Sequence, residues 1–215
     1  KRLNLVGMTN RWAGVWLGAM FAVCLSAYPI VFFGKSYVSP GYGTQLLYDG
    51  LPFVPGYAHS DLEELSADVG AMSWQNLPYS RVQHEAVFEH REFPFWNRYN
   101  SGGLPLFGQG QSQILDPLHW IVVAGEGNGW AWDLKFLLSK LLFLAGIGSA
   151  VMLMTRSIGA SVVIMMSSAL IGLFYFRFNH PVFFNLTYAP WVFVFFLQWM
   201  KTIKLSAGDG RWVKA

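Results

Sequence analysis

The stretch Trp12–Phe33 reads WAGVWLGAMFAVCLSAYPIVFF, 22 residues without a charge. A helix of that length rises about 33 Å, enough to cross about 30 Å of hydrocarbon. It is longer than the apolar region of a usual signal peptide, and Ser26-Ala27-Tyr28-Pro29 makes a poor cleavage site. The run therefore reads as a retained membrane span. Three further apolar runs follow, near Trp132–Met154, Ser161–Phe176 and Pro181–Met200. In the second, Asp133, Lys135 and Lys140 crowd the N-terminal end, where they are expected to reach the interface. In the fourth, Pro190 predicts a kink. Ser157-Ile158-Gly159 and Arg177-Phe178-Asn179-His180 supply the short connections.

Composition agrees with this reading. Apolar residues make up 53% of the 215, aromatic residues 17% and charged residues only 13%, against about 25% charged in a soluble chain. That deficit excludes a disordered tail, a coiled coil and a typical cytosolic enzyme. The single cysteine, Cys24, excludes an internal disulfide framework and a cysteine-based zinc site. A net charge of +3 invites nucleic acid, yet no basic stripe is interleaved with stacking aromatics in a polar context, so nucleic acid is not an expected partner.

Charge placement sets the expected topology. Eleven of the twelve acidic residues lie between Asp49 and Asp133, whereas Lys1, Arg2, Arg11, Arg156, Lys201, Lys204, Arg211 and Lys214 flank the apolar runs. The positive-inside rule then puts both termini in the cytoplasm. The expected architecture is all-α and polytopic: a cytoplasmic N-terminus (1–11), a first span (12–33), a large extracytoplasmic loop with juxtamembrane helices (34–130), three more spans (131–200), and a cytoplasmic tail or link to further sequence (201–215).

Within the loop, residues 34–57 read as irregular. Ser60 and Glu63 form a capping-box pattern, and Leu62, Leu65, Val69 and Met72 follow at helical spacing, predicting a helix over roughly 61–75. Asp61, Glu64 and Asp68 share one stripe of it. They read either as a solvated face near a helix N-terminus or as a general base or metal ligand with a tuned pKa. Pro78 interrupts, and a second helix is expected over 79–90. His84 and His90 lie six residues apart, on different helix faces, and fail the spacing of a zinc helix. Phe93-Pro94-Phe95-Trp96-Asn97-Arg98-Tyr99-Asn100-Ser101-Gly102-Gly103-Leu104-Pro105 specifies a tight loop. It either packs on the membrane helices or lines a ligand cleft, with close backbone approach permitted by Gly102 and Gly103.

These blocks carry a resemblance. Asp68, Gln75 to Pro78, Pro94 to Tyr99, Gly102 to Pro105 and Gln111 to Pro117, in that order, resemble the YfhO-type bacterial multi-pass membrane proteins. Those in turn resemble the GT-C superfamily of membrane glycosyltransferases. His180-Pro181 and Ala189-Pro190-Trp191 are similar to the family's next helices. Arg98 stands where the family usually has Pro, and Asp116 where Tyr is common. The family members carry many more spans, so this chain is expected to be part of a longer protein or a shortened relative.

The resemblance implies a bacterial inner-membrane enzyme that takes a sugar from a polyprenyl-phosphate donor to a cell-envelope acceptor at the outer membrane face. A lipid-linked donor confines such a site to the interface, and an attacking hydroxyl needs a base. Asp68 is the first expectation for that base and Asp61 the second. Arg81, Arg98 or His180 would stabilise the leaving phosphate, and Trp96 and Tyr99 would stack on a sugar ring, beside Asn97, Gly102 and Gly103. A divalent metal is a conceivable cofactor, with no ligand set assigned. The competing reading is a non-catalytic architectural subunit that packs its aromatic faces against other membrane subunits.

Overall fold

The computed structural model describes residues 5–38, 72–99, 102–108, 110–172, 174 and 180–208. The chain is mostly helical. Its helices are α1 (Leu5–Ser26), α2 (Tyr28–Phe33), α3 (Leu77–His84), α4 (His119–Ala124), α5 (Gly129–Thr155), α6 (Ile158–Ala169), α7 (Pro181–Leu186) and α8 (Ala189–Gly208). Two π-helical turns, Met72–Asn76 and Glu85–Glu89, flank α3. The described residues also hold a minimal antiparallel ladder, β1 (Trp96–Asn97) on β2 (Leu104–Pro105), so the expected all-α class acquires one small hairpin.

Local chemistry explains where the apolar runs break. The run 12–33 is two helices, parted at Ala27. The Ser26 hydroxyl donates back to the Ala22 carbonyl at 2.6 Å, a bond that bends helices, and Pro29 has no N–H with which to continue α1. Pro29 instead sits in the first turn of α2, where proline is tolerated. Gly34 closes α2 in the left-handed conformation. The run 181–200 likewise divides at Thr187–Tyr188. Pro190, expected as a kink, lies in the first turn of α8. Pro78 does not interrupt either: it occupies the first turn of α3, and helical backbone runs from Met72 to Glu89. Between α5 and α6 the connection narrows to Arg156, at φ +58°, and Ser157, whose Oγ accepts from the Ala160 N–H at 3.2 Å.

Among the described residues, α5 is the helix long and apolar enough to cross a membrane; Arg11–Ser26 and Ile158–Ala169 are shorter apolar helices. The predicted helix over 61–75 lies outside the described residues except for its last turn, which is π-helical.

The chain divides into two compact units. The first comprises residues 1–26, 140–170 and 186–215. Its helices approach through small residues, which let backbones come close. Gly14 and Gly18 of α1 face Ile158, Val162 and Met165 of α6. Gly148 of α5 faces Met165, and Gly146 faces Pro190 and Trp191 of α8. The Trp191 indole N–H donates to the Leu142 carbonyl at 2.9 Å and stacks at 6.0 Å on Trp16. Behind these seams Val15, Ala19, Ala22, Leu144, Met165 and Val194 are buried, while Leu17, Phe21, Val163, Val192, Phe195 and Trp199 stay exposed.

The second unit comprises residues 27–139 and 171–185. Its core is aromatic: Phe136, Phe174, Phe183, Phe184 and Trp132 form a chain of edge-to-face and tilted contacts at 5.1–6.0 Å. Tyr37 meets Phe136 at 4.1 Å, and its N–H is accepted by the Asp133 carboxylate at 2.8 Å.

A Cβ at Gly148 would lie 2.4 Å from the Met165 sulfur, and Met165 is fully buried, whereas a Cβ at Gly14 would make only ordinary contacts at 3.6 Å. Gly148→Ala is therefore expected to cost about 1–3 kcal/mol, and Gly14→Ala to stay within about 0.5 kcal/mol. Thermal unfolding of the two variants in detergent measures the difference; equal midpoints would contradict the glycine seam.

Candidate functional site

The polar heart of the second unit is the ammonium of Lys135, which is fully buried. An ammonium has three donors, and three acceptors surround it: Asp116 Oδ2 at 2.9 Å, His119 Nδ1 at 3.1 Å, and Gln113 Oε1. The rings of Phe184, at 4.1 Å, and Trp132, at 5.3 Å, complete the shell. An accepting Nδ1 fixes the tautomer of His119, so its Nε2–H donates to Gln83 Oε1 at 2.7 Å. The Gln83 amide in turn donates to the Ser112 carbonyl at 2.8 Å. From Lys135 through His119 and Gln83 to Ser112 donor follows acceptor, while the Gln113 Nε2 stays buried without a hydrogen-bond partner among the described residues. Burial, and secondly the adjacent Lys135 charge, hold the His119 imidazole well below its ordinary pKa, so it is neutral.

Local sequence builds this arrangement. Asp116-Pro117-Leu118 forms an Asx turn, with Asp116 Oδ1 accepting the Leu118 N–H at 3.1 Å while Oδ2 takes the ion pair. Gln113 adopts φ +56°, a conformation that costs a side-chain-bearing residue about 1–2 kcal/mol. On α3, Gln83 and the neighbouring His84, which bonds the Val123 carbonyl at 2.7 Å, tie the helix to residues 112 and 123.

With one side of the helix tied, the other lines a cleft. Val82, Glu85 and Ala86 recur at the i, i+3, i+4 spacing of one helix face. With His90, Glu92, Phe93, Pro94, Phe95, Trp96, Arg98 and Tyr99 they line a space of about 360 Å³. Glu85 and Glu89 belong to the π-helical turn, a feature frequent at functional sites. The Tyr99 phenol bonds Glu85; that bond, and then the carboxylate's charge, raise the phenol above its ordinary pKa. Arg98 pairs with Glu92 at 3.0 Å. Trp96 lies against Gly103, at φ +114°, where a Cβ would fall 2.1 Å from the indole nitrogen. Glycine is therefore required under the indole.

Of the expected site residues, the structure brings Trp96, Arg98 and Tyr99 together on this cleft. Gly102 and Gly103 supply the left-handed turn of the hairpin. Asn97 is buried, its side chain accepting the Tyr99 N–H at 2.9 Å, and so shapes the loop. Arg81 lines a different surface cleft and faces Glu126 at 3.6 Å. His180 begins the turn into α7, its carbonyl accepting the Phe183 N–H, and is not among the cleft's lining residues. Asp61 and Asp68 lie outside the described residues. Among the described residues no three His, Cys, Asp or Glu side chains converge to hold a metal.

Lys135 and Lys140, expected to reach the interface, are instead fully buried, and the sequence reading missed Lys135 as a site residue together with His119 and Gln83. One signal was available: an ionisable residue three positions into an apolar run, where burial makes it costly unless paired. Comparison with protein-family models, with curated proteins and with solved structures finds no match.

Two outcomes are expected. Lys135→Met leaves Asp116 without its counter-charge and should cost about 3–5 kcal/mol, part of which Asp116→Asn restores in the double variant; denaturation midpoints decide. The second concerns pH. Below about 6.5 the unfolded chain protonates this histidine and the folded one does not, so stability falls as pH drops from 6.5, with a slope approaching about 1.4 kcal/mol per pH unit. His119→Asn should flatten the curve between pH 7 and 5, and an unchanged slope would contradict the buried neutral imidazole.

Proposed function

We propose that the protein is a polytopic protein of the bacterial cytoplasmic membrane, a GT-C-like glycosyltransferase that moves a sugar from a polyprenyl-phosphate donor to a cell-envelope acceptor on the outer face. The observation that carries this reading is the cleft lined by Trp96, Tyr99, Phe93 and Phe95 beside Glu85, Glu92 and Arg98. Aromatic faces next to carboxylates match a sugar ring, which offers apolar C–H faces and hydroxyl edges. The membrane assignment is supported by α5 and by the exposed large apolar residues of α1, α6 and α8.

The chemistry would run as follows. An acceptor hydroxyl oxygen attacks the anomeric carbon of the donor, the bond from that carbon to the phosphate oxygen breaks, and the phosphate leaves on its lipid. The hydroxyl proton passes to a carboxylate, for which Asp68 is the first choice and Asp61 the second. Arg98 already has a carboxylate partner in Glu92 and Arg81 faces Glu126, which weakens the case for either as the phosphate's counter-charge.

A second reading is favoured by one observation. Leu17, Phe21, Val192, Phe195 and Trp199 expose apolar surface that could dock partner helices as readily as lipid, as an architectural subunit would require.

Asp68→Asn should lower sugar transfer by about a hundredfold or more in membranes carrying the complete protein, with expression and thermal midpoint unchanged. Full activity in Asp68→Asn with loss in Asp61→Asn would move the base to Asp61. Full activity in both would leave the architectural reading.

A further inference from the structure

We propose that the cleft between α3 and the β1–β2 hairpin is a subsite for an unphosphorylated sugar ring, the acceptor end of the reaction, and that it excludes the donor's phosphate. The assignment as acceptor subsite rests on the transferase reading; the binding of a neutral sugar does not.

Two features carry it. The first is a stacking platform. Gly103 packs against the Nε1, Cε2 and Cζ2 atoms of the Trp96 indole so closely that no side chain fits between them, and Trp96 remains 53% exposed. A flat ring seated on backbone, with free surface, suits the apolar face of a pyranose. The second is the charge balance. Arg98 and Glu92 neutralise one another at 3.0 Å. That leaves Glu85, which bonds the Tyr99 phenol, as the second carboxylate of a lining that also holds His90; Arg98 and then Glu89 act on the same phenol in opposite senses, and carboxylates outnumber guanidinium groups there. The cleft therefore has carboxylate oxygens to accept hydrogen bonds from sugar hydroxyls and an excess of negative charge facing any phosphate. Opposed like charges are strongly disfavoured, and discrimination of this kind is how a site rejects a wrong ligand. The donor's phosphate would need a cationic site elsewhere.

The cleft's rigidity follows from the buried network behind it. Gln83 and His84 tie α3 to the Ser112 and Val123 carbonyls, and Glu85 is the next residue along. A fixed carboxylate opposite a fixed indole spares the ordering cost that would otherwise weaken binding.

The test is a binding measurement by calorimetry and saturation-transfer NMR on the detergent-solubilised protein, with methyl β-glucoside and chitobiose as neutral probes and glucose 1-phosphate as the charged one. The expected result is saturable binding of a neutral probe, weakened about tenfold by Trp96→Ala, the loss of one stacking contact. Glu85→Ala should weaken it as well, while Glu126→Gln, on a separate surface cleft, should leave it unchanged. Glucose 1-phosphate should bind at least about tenfold more weakly than methyl β-glucoside, and Glu85→Ala should narrow that gap. Glu85→Ala keeps the test decisive if Trp96→Ala does not fold. Absence of saturable binding of both neutral probes, equal binding in all three variants, or tighter binding of the phosphate would overturn the proposal. Transfer activity without such binding would overturn the subsite and spare the transferase; binding without transfer in any membrane assay would do the reverse.

Discussion

The ammonium of Lys135 is the constraint around which the second unit is organised. Desolvating such a charge costs several kcal/mol, repaid only when every donor is met with good geometry. Here Asp116, His119 and Gln113 meet all three, and two aromatic rings close the remaining directions. The requirement reaches outward. His119 must accept at Nδ1, so it must donate at Nε2, so Gln83 must present its oxygen and pass its amide hydrogens to Ser112. Each link fixes a side chain from a different segment: α5, the 110–116 turn, α4 and α3. Removing one member would leave buried polar groups of the others without their bonds, a costly change in a low-dielectric interior.

The same network decides where the cleft can be. Tying one side of α3 leaves Val82, Glu85 and Ala86 on the other, opposite a hairpin whose indole rests on glycine. Two of the four side-chain-bearing residues with positive φ among the described residues lie at these features, Gln113 at φ +56° in the network and Arg91 at φ +56° just before the aromatic loop; Glu126 and Arg156 lie in other turns. Strain of this sort persists only where the surroundings over-determine the backbone.

The first unit obeys different physics. Its helices meet through Gly14, Gly18, Gly146 and Gly148, and its polar contacts include single bonds to helix carbonyls, as from Trp191 to Leu142 and Lys201 to Leu153. Large apolar side chains point outward. A water-facing helix carries polar residues on its outer side; the face of α1 that bears Phe21 and Leu25 does not, and on α8 the exposed face with Phe195 and Trp199 is interrupted by Gln198 and Thr202.

By itself the sequence determined the helical character, the apolar run that became α5, the Ser157 turn, and the aromatic, glycine-rich loop, because each depends on composition and spacing within a few residues. The break of the run 12–33 at Ala27 is local as well, set by the Ser26 hydroxyl and Pro29 together, as are the helix starts at Pro78 and Pro190. Tertiary structure decided the rest. The sequence put Lys135 at a helix end near water and read Asp116 as a family substitution. Their pairing across 19 positions, with Gln83 a further 33 residues upstream, has no local pattern to announce it. A buried charge is stable only in the presence of partners that folding alone brings together, and so the network, and the cleft it positions, belong to the tertiary structure.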